Sequence, residues 1–285
     1  MCATFGPAGM GEAFAAAGGK SSLQFPAFLK EYGLDCFEYQ CGRGVNISLE
    51  KAALLGAEAK AHGIAVSLHA PYYISLSSLE PEKRDNSIGY ILQSARAVNT
   101  MGGTRVVLHS GSCGKLPRDE ALTLAKQTLS RAIAALDSEG LTHIRLCPEV
   151  MGKLGQLGTL AEVLALCALD ERLLPCVDFG HLNARTHGGL KTFADFAAVF
   201  AQIENKLGVS RLREFHAHFS KIEYTAGGEK QHLTFADTVF GPDFDPVAEI
   251  TAQKGLCPVI ICESRGTQEQ DALTMKKMYW QHAQL

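Results

Sequence analysis

Histidine and carboxylate side chains stand at, or one residue before, the end of several short apolar segments. His69 lies in IAVSLHA, His109 in RVVLHS and Glu149 at the end of IRLCPE. Three later segments carry a similar residue near their ends: Asp178, His216 and Glu263. Buried imidazoles and carboxylates are costly unless a partner or a cation compensates them. Six of them converging on one place therefore predict a bound metal.

Further donors follow two of these segments. Asp178-Phe-Gly-His181 places a second candidate ligand one short step after the first, and the run GGEKQH contributes Glu229 and His232. Nitrogen and oxygen donors without thiolate suit hydrolytic zinc, with manganese as a substitute. Nine candidate donors exceed the three or four protein ligands of one zinc ion. The sequence therefore predicts several ions that share a bridging carboxylate.

The alternative for each residue alone is structural. A single histidine at a strand end is commonly a hydrogen-bonded core residue, and a lone acidic residue there can cap the next helix. His218 remains an alternative ligand to His216, because residues two apart share one face of a strand. The histidines predicted not to bind metal lie on helices or loops away from this place: His62, His143, His187 and His282.

Eight β-rich apolar segments recur along the chain, each followed by a segment of helical periodicity. They are CATFG from Cys2, then residues 35–40, 64–70, 105–110, 144–149, 174–180, 213–219 and 258–264. The predicted helices cover residues 23–31, 49–62, 86–101, 119–138, 160–169, 193–207, 246–254 and 268–282. This alternation predicts an α/β fold, a (β/α)8 TIM barrel, as a single domain over residues 1–285. An open, doubly wound sheet is the alternative.

Bulk properties agree with a folded, soluble protein. The 285 residues are 46% hydrophobic and 20% charged, which is ordinary globular usage. A secretory leader and an apolar run long enough to span a bilayer are both missing from the sequence, so we expect a cytoplasmic location and no membrane partner. The nine cysteines form no CxxC pair, which favours reduced thiols. A net charge of −3 provides no strongly basic field for nucleic acid, although bound zinc adds positive charge locally.

The ordered set of motifs resembles endonuclease IV, a trinuclear-zinc apurinic/apyrimidinic endonuclease family, from about Ala3 to Glu263. The motifs that carry the resemblance are SLHAPYY, VLHSGS, EVMGKLGQLG, VDFGH, HAHFSK and ICES. The chain departs from the family in three places. Glu229 and His232 replace an Asp-x-His pair, HAHF replaces HLND, and the usual Asn-Thr-Ala does not follow Glu149.

The resemblance implies three zinc ions, with manganese as a possible occupant of one position. One ion would be bound by His69, His109 and Glu149, and a second by Glu149, Asp178, His216 and Glu263. The third would be bound by His181, Glu229 and His232. The implied reaction is hydrolysis of the phosphodiester 5′ to an abasic site in DNA, as in base excision repair. Glu149 and Glu263 are the implied catalytic residues, and Glu263 would orient or deprotonate the attacking water.

The resemblance also implies contacts with damaged double-stranded DNA, made by a monomer. Tyr72 matches a residue that inserts into the duplex, whereas its alternative is an ordinary surface tyrosine. Gln40 and Arg43 occupy the position of a polar and basic loop that contacts DNA. Lys221 is a further candidate for binding phosphate.

Two other functions fit parts of the pattern. A sugar isomerase or epimerase on the same barrel would need one divalent ion at Glu149, Asp178, His216 and Glu263. That interpretation leaves the other five donors without a shared purpose. A barrel that binds nucleotide or metal without catalysis is the non-enzymatic alternative, which the net acidity and the altered third group keep open.

Overall fold

Eight parallel strands form the centre of the molecule. The structure is a computed structural model and describes residues 3–283. The central strands are β1 (Thr4–Pro7), β2 (Cys36–Gln40), β3 (Ala65–His69), β4 (Arg105–Leu108), β5 (Arg145–Pro148), β6 (Cys176–Asp178), β7 (His216–Phe219) and β10 (Val259–Cys262). A hairpin of β8 (Ile222–Thr225) and β9 (Gly228–His232) follows β7.

The strands close into a ring. One parallel sheet runs in the order β2, β3, β4, β5, and a second runs β6, β7, β10, β1. Isolated parallel bridges join the two sheets at Ala8 with Glu38 and at Glu149 with Cys176. These bridges lie at both seams, so each sheet continues into the other on its two sides. The structure therefore confirms the predicted TIM barrel and excludes the open doubly wound sheet.

Helices surround the barrel: α1 (Glu12–Ala16), α2 (Phe25–Tyr32), α3 (Leu49–His62), α4 (Pro81–Thr100), α5 (Arg118–Ser138), α6 (Leu160–Cys167), α7 (Phe179–Arg185), α8 (Phe193–Leu207), α9 (Val209–Arg213), α10 (Asp245–Gln253) and α11 (Gln268–Ala283). Local chemistry sets several ends. The Ser48 hydroxyl accepts from the Lys51 amide at the start of α3, and Thr159 forms a capping box with Glu162 at the start of α6. At Gly63 the chain leaves α3 with φ of 66°, in the left-handed region that favours glycine.

Most predicted elements are present, with shifted ends. Helix α4 begins at Pro81, whereas the corresponding predicted helix begins at residue 86. The sixth strand is shorter than predicted because α7 begins directly after Asp178. Helices α1, α7 and α9 and the β8–β9 hairpin were not predicted. They are short and of mixed polarity, so they show little periodicity. The predicted start of the first strand, Cys2, lies outside the described residues.

Among residues 3–283, seven cysteines are free and buried: Cys36, Cys41, Cys113, Cys147, Cys167, Cys176 and Cys262. Cys257 is disulfide-bonded, so the prediction of uniformly reduced thiols is wrong at that position. Within residues 3–283, none of the helices combines the length and apolarity needed to cross a membrane.

Arg185, on α7, fixes the long loop after β5. The residue is 8% exposed, and its guanidinium donates to the carbonyls of Met151 at 2.9 Å and Gln156 at 3.0 Å. Charge-assisted hydrogen bonds of this kind each contribute about 1.5–3 kcal/mol. We expect Arg185→Leu to lower the free energy of unfolding by about 2–4 kcal/mol in urea titrations, since it leaves the carbonyl of the buried Met151 without this donor, whereas the Gln156 carbonyl still accepts from Arg118.

The matched control is Arg131→Leu, which removes an exposed arginine that pairs with Asp85. Exposed pairs contribute about 0–1 kcal/mol, so that variant should remain close to the parent. Equal losses from the two substitutions would show that the loop does not depend on Arg185.

Candidate metal centre

The carboxyl ends of the central strands bring most of the predicted donors together. His69 ends β3 and Asp178 ends β6, while His109, Glu149 and Glu263 each follow directly after a strand. In a (β/α)8 barrel these ends share one face, where catalytic sites lie. Three groups of donor residues occur there, and within each group the donor atoms lie within 4.8 Å of one another.

The first group is His69, His109 and Glu149. The Nε2 atoms of both histidines lie 3.2 Å from Oε2 of Glu149, whose side chain is buried. Nδ1 of His69 donates to the carbonyl of Ala70 at 2.8 Å. This second contact fixes the ring so that Nε2 presents a lone pair to an ion.

The second group is Glu149, Asp178, His218 and Glu263. Nδ1 of His218 lies 3.3 Å from Oε1 of Glu149 and 3.4 Å from Oε1 of Glu263. Oδ1 of Asp178 caps α7 by accepting from the His181 amide at 2.7 Å, whereas its buried Oδ2 has no aligned hydrogen-bond partner among the described residues. Glu149 therefore faces two groups with its two oxygens, as a bridging carboxylate would.

The third group is His181, Glu229 and His232. Nε2 of His181 lies 3.3 Å from Oε2 of Glu229, and its Nδ1 donates to the Val150 carbonyl at 3.0 Å. Residues three apart on a regular strand face opposite sides. Here the pairing of Tyr224 with Glu229 and of Glu223 with Gln231 leaves Lys230 as an extra residue on β9. This bulge turns Glu229 and His232 to one side, so the wider spacing still forms a group.

The choice of His216 as a ligand of the second group is corrected to His218. In the β6–β7 register His218 lies opposite Asp178, at the mouth of the barrel, whereas His216 lies opposite Cys176. His216 is fully buried one layer deeper, and its Nε2 is 3.1 Å from Oε2 of Glu38. The predicted segment ends at residue 219, as β7 does, so the strand end was placed correctly and the error lay in the choice between its two histidines.

Glu38 was missed by the sequence reasoning. It lies on β2, is fully buried, and accepts from the Ser67 hydroxyl at 3.0 Å and the Gln40 amide at 3.2 Å. A single acidic residue within the apolar run CFEYQ was the feature that could have revealed it, because a buried carboxylate requires partners.

The protein's own charges leave the centre short of positive charge. Burial and the neighbouring charges of Glu149 and Asp178 raise the pKa of Glu263 to about 8, against the opposing effect of His218. Burial alone would lower the pKa of His69, but its contacts with Glu149 raise it to about 9. Both shifts favour protonation, so in the absence of a cation the negative charge of the clustered carboxylates is offset by bound protons. Divalent ions would supply that charge and keep all the carboxylates ionised.

Members of all three groups line one cleft of about 430 Å³, whereas Asp178 and His218 are not among its lining residues. Gln40, Tyr72 and Lys153 share its wall with the lining members of these groups. Tyr72 is 59% exposed and stacks on His109 with ring centroids 5.8 Å apart. Its amide donates to the Gly42 carbonyl at 3.1 Å, which ties its loop to the loop that carries Arg43. Arg43 is exposed on this rim but is not among the residues lining the cleft.

Lys221, which the sequence suggested as a phosphate contact, is engaged elsewhere, and a different lysine lines the cleft. Lys221 donates to the Asp237 carbonyl at 2.6 Å and lies 3.6 Å from Asp243, and its side chain is largely buried. It is therefore engaged within the protein instead of open to phosphate. Lys153, in the loop after Glu149, is exposed and lines the cleft. The sequence offered one sign that this loop differs from that of endonuclease IV, because the usual Asn-Thr-Ala does not follow Glu149.

A larger cavity, of about 650 Å³, lies between α3, the turn after α4 and the starts of several strands. Lys60 and Arg105 are its charged lining residues, and no Asp, Glu or His of the described chain lines it. Size therefore does not identify the site: the smaller cleft contains the donors.

Comparison with known proteins places the chain in a family. The sequence pattern of the xylose isomerase-like TIM barrel family matches residues 26–282. The chain belongs to that family. An uncharacterised protein of Methanocaldococcus jannaschii is 32% identical over 253 residues, 88% of this chain and 89% of its own length. A probable endonuclease 4 of Mycoplasma pneumoniae is 27% identical over 192 residues, which are 65% of this chain and 63% of the relative.

Several solved structures share the fold of this chain at low sequence identity. A D-tagatose 3-epimerase-like protein superposes with a TM-score of 0.72 and 19% identity, covering 99% of this chain and 97% of the other. Endonuclease IV from Thermus thermophilus has a TM-score of 0.68 and 16% identity, covering 100% and 99%. Proteins described as a nuclease and as sugar epimerases therefore share this barrel fold. Fold alone does not choose between them, so the donors of the metal centre must.

Proposed function

We propose that this protein is a zinc-dependent apurinic/apyrimidinic endonuclease that hydrolyses the phosphodiester 5′ to abasic sites in double-stranded DNA. One observation carries the proposal: three donor groups surround one cleft, and two of them share Glu149. A single-ion enzyme has no use for the first and third groups. The partial similarity to probable endonuclease 4 proteins supports the same choice.

The donor chemistry fits zinc. Each group combines imidazole nitrogen with carboxylate oxygen, and the buried Oδ2 of Asp178 has a lone pair without a hydrogen-bond partner among the described residues. Manganese fits one position as a substitute. When bound, such ions would stabilise the charge that develops on the phosphoryl oxygens and the leaving oxygen.

The protein's own residues would bind and orient the substrate around these ions. Glu263 borders the second group and opens to the cleft, where it would hold the attacking water and take its proton. Gln40 and Lys153 line the wall and would contact phosphate or sugar, with Arg43 on the rim above. Tyr72, exposed beside His109, would stack on the bases that flank the abasic gap.

Incubation with a duplex that contains one abasic site tests the proposal directly. We expect incision 5′ to the site by the zinc-loaded protein, none after chelation, and recovery when zinc is restored. An intact duplex of the same sequence is the substrate control. Absence of incision at every zinc and manganese loading would refute the proposed function.

The two adjacent tyrosines offer a matched pair of variants. Base stacking on an aromatic ring contributes about 1–3 kcal/mol, so Tyr72→Ala should weaken binding of the abasic duplex by roughly 10-fold. Tyr73 is similarly exposed, but its ring lies against Tyr90 instead of the metal centre. Tyr73→Ala should bind as the parent does in a fluorescence anisotropy titration. Equal affinities of the two variants would remove Tyr72 from the DNA-contacting residues.

A sugar epimerase is the second candidate. The group Glu149, Asp178, His218 and Glu263 could hold a single divalent ion by itself, and an epimerase-like protein shares the fold across almost the whole chain. About one ion per chain together with turnover of a ketose would favour this alternative. Three ions in the cleft would favour the nuclease.

A further inference from the structure

A fourth set of donors lies beneath the metal centre, inside the barrel. We call Glu38, Cys176, His216 and His218 the inner group. All four side chains are fully buried. Donor atoms of Cys176, His216 and His218 lie within 4.8 Å of one another, and Cys176 is the register partner of His216 across β6 and β7. The three groups around the cleft consist of imidazoles and carboxylates, so the thiol of this set gives it a different chemistry.

Glu38 lies against both histidines of the inner group. Its Oε2 is 3.1 Å from Nε2 of His216, and its Oε1 is 3.0 Å from Nε2 of His218. Despite these distances, neither Nε2 atom has the alignment of a hydrogen bond. Nδ1 of His216 also has no hydrogen-bond partner among the described residues. Such orphaned buried nitrogens are rare in proteins and need an explanation.

A bound ion explains these contacts. Two donors about 2.0–2.2 Å from one zinc ion, at angles near tetrahedral, lie roughly 3.0–3.5 Å apart with their lone pairs directed at the ion and away from each other. The outer groups show similar spacing, 3.2 Å between His109 and Glu149 and 3.3 Å between His181 and Glu229. The inner group thus repeats the geometry of the groups assigned to metal.

Charge and softness indicate which ion would fit. A divalent cation would balance the charges of one thiolate and one carboxylate, which offsets the cost of burying these two groups together. Thiolate and imidazole donors select zinc and its neighbours among the transition metals, whereas magnesium and calcium require oxygen. Full burial from solvent is typical of a structural ion, with every position filled by protein.

We propose that Cys176, His216 and His218, with the carboxylate of Glu38, bind a structural transition-metal ion inside the barrel. His218 then serves two sites, with Nδ1 toward the outer centre and Nε2 toward the inner ion. Binding of the inner ion would release the proton of the Cys176 thiol to solvent. With the outer centre also filled, His218 would lose its ring proton as well, and the two cations would share the negative charge of its imidazolate. The inner ion therefore fixes the orientation of a ligand of the outer centre.

Cobalt substitution tests the site without any substrate. The full-length protein is produced with cobalt in place of zinc, and its near-ultraviolet absorption and cobalt-to-protein ratio are measured. We expect a thiolate-to-cobalt charge-transfer band in the parent protein. Cys176→Ser should lose the band and one cobalt per chain. Cys147→Ser should keep both, because Cys147 is buried in the same small apolar cluster but is not part of the inner group.

If Cys176→Ser does not fold, the parent protein and His216→Gln test the proposal instead. His216→Gln should lose one cobalt per chain while its circular dichroism stays unchanged. A parent protein with cobalt in its outer groups but no thiolate band overturns the proposal. A band that persists in Cys176→Ser also overturns it. DNA incision does not enter this experiment, so an inactive protein with the band would refute the nuclease and support the inner ion.

Discussion

Glu263→Gln is expected to reduce incision at an abasic site by about 100- to 1,000-fold, the usual cost of removing one group that acts on a reacting centre. The amide keeps the shape and one oxygen donor of the carboxylate but cannot accept the proton of the attacking water. Glu263 is only one of four donors in its group, and Glu149, Asp178 and His218 remain. Zinc content and the far-ultraviolet circular dichroism should therefore change little.

The control for this variant is Glu214→Gln, the same chemical change just before β7, at the opposite end of the barrel. Glu214 pairs with the exposed Arg145, and a surface pair of this kind has little energetic weight. Its incision rate should match that of the parent. Undiminished incision by Glu263→Gln would show that the residue has no role in proton transfer, and loss of zinc would reassign it to metal binding alone.

Much of the metal centre could be predicted because a parallel barrel converts sequence position into spatial position. A donor at the end of any strand reaches the same face, so His69, His109, Glu149 and Asp178 required only approximate strand ends. The DxxH step was also predictable, since Asp178 caps the helix whose first turn carries His181. Ligand order along the chain then gives the family resemblance its specificity.

The wrong choice between the two histidines of β7 is an error of register. Choosing between His216 and His218 needs the pairing of β6 with β7 to within two residues, and apolar periodicity does not define it so closely. The third group depends on the extra residue Lys230 in the hairpin, a bulge that the sequence alone does not indicate. Glu38 is detectable as a buried charge, but its two histidine partners lie on β7, far along the chain.

Glu149→Ala is expected to have the second large effect, on metal content. Because Glu149 belongs to both the first and the second groups, its loss should release two zinc ions per chain relative to the parent. Only the third group around the cleft lacks Glu149 and should keep its ion. Incision should fall below detection, since the ions that would act on the phosphorus are lost. Atomic absorption on protein dialysed against a fixed free-zinc buffer measures the loss.

His232→Ala provides the comparison, because it alters the third group alone and should release one ion. The ratio of the two losses separates the candidate functions. For a nuclease with three outer ions, Glu149→Ala loses two ions per chain and His232→Ala loses one. For an epimerase, whose single ion would be bound by Glu149, Asp178, His218 and Glu263, Glu149→Ala loses one ion per chain. His232→Ala then leaves the metal content unchanged. Both variants are judged against the parent, so an inner ion at Cys176 and His216 adds equally to every count and does not affect the comparison.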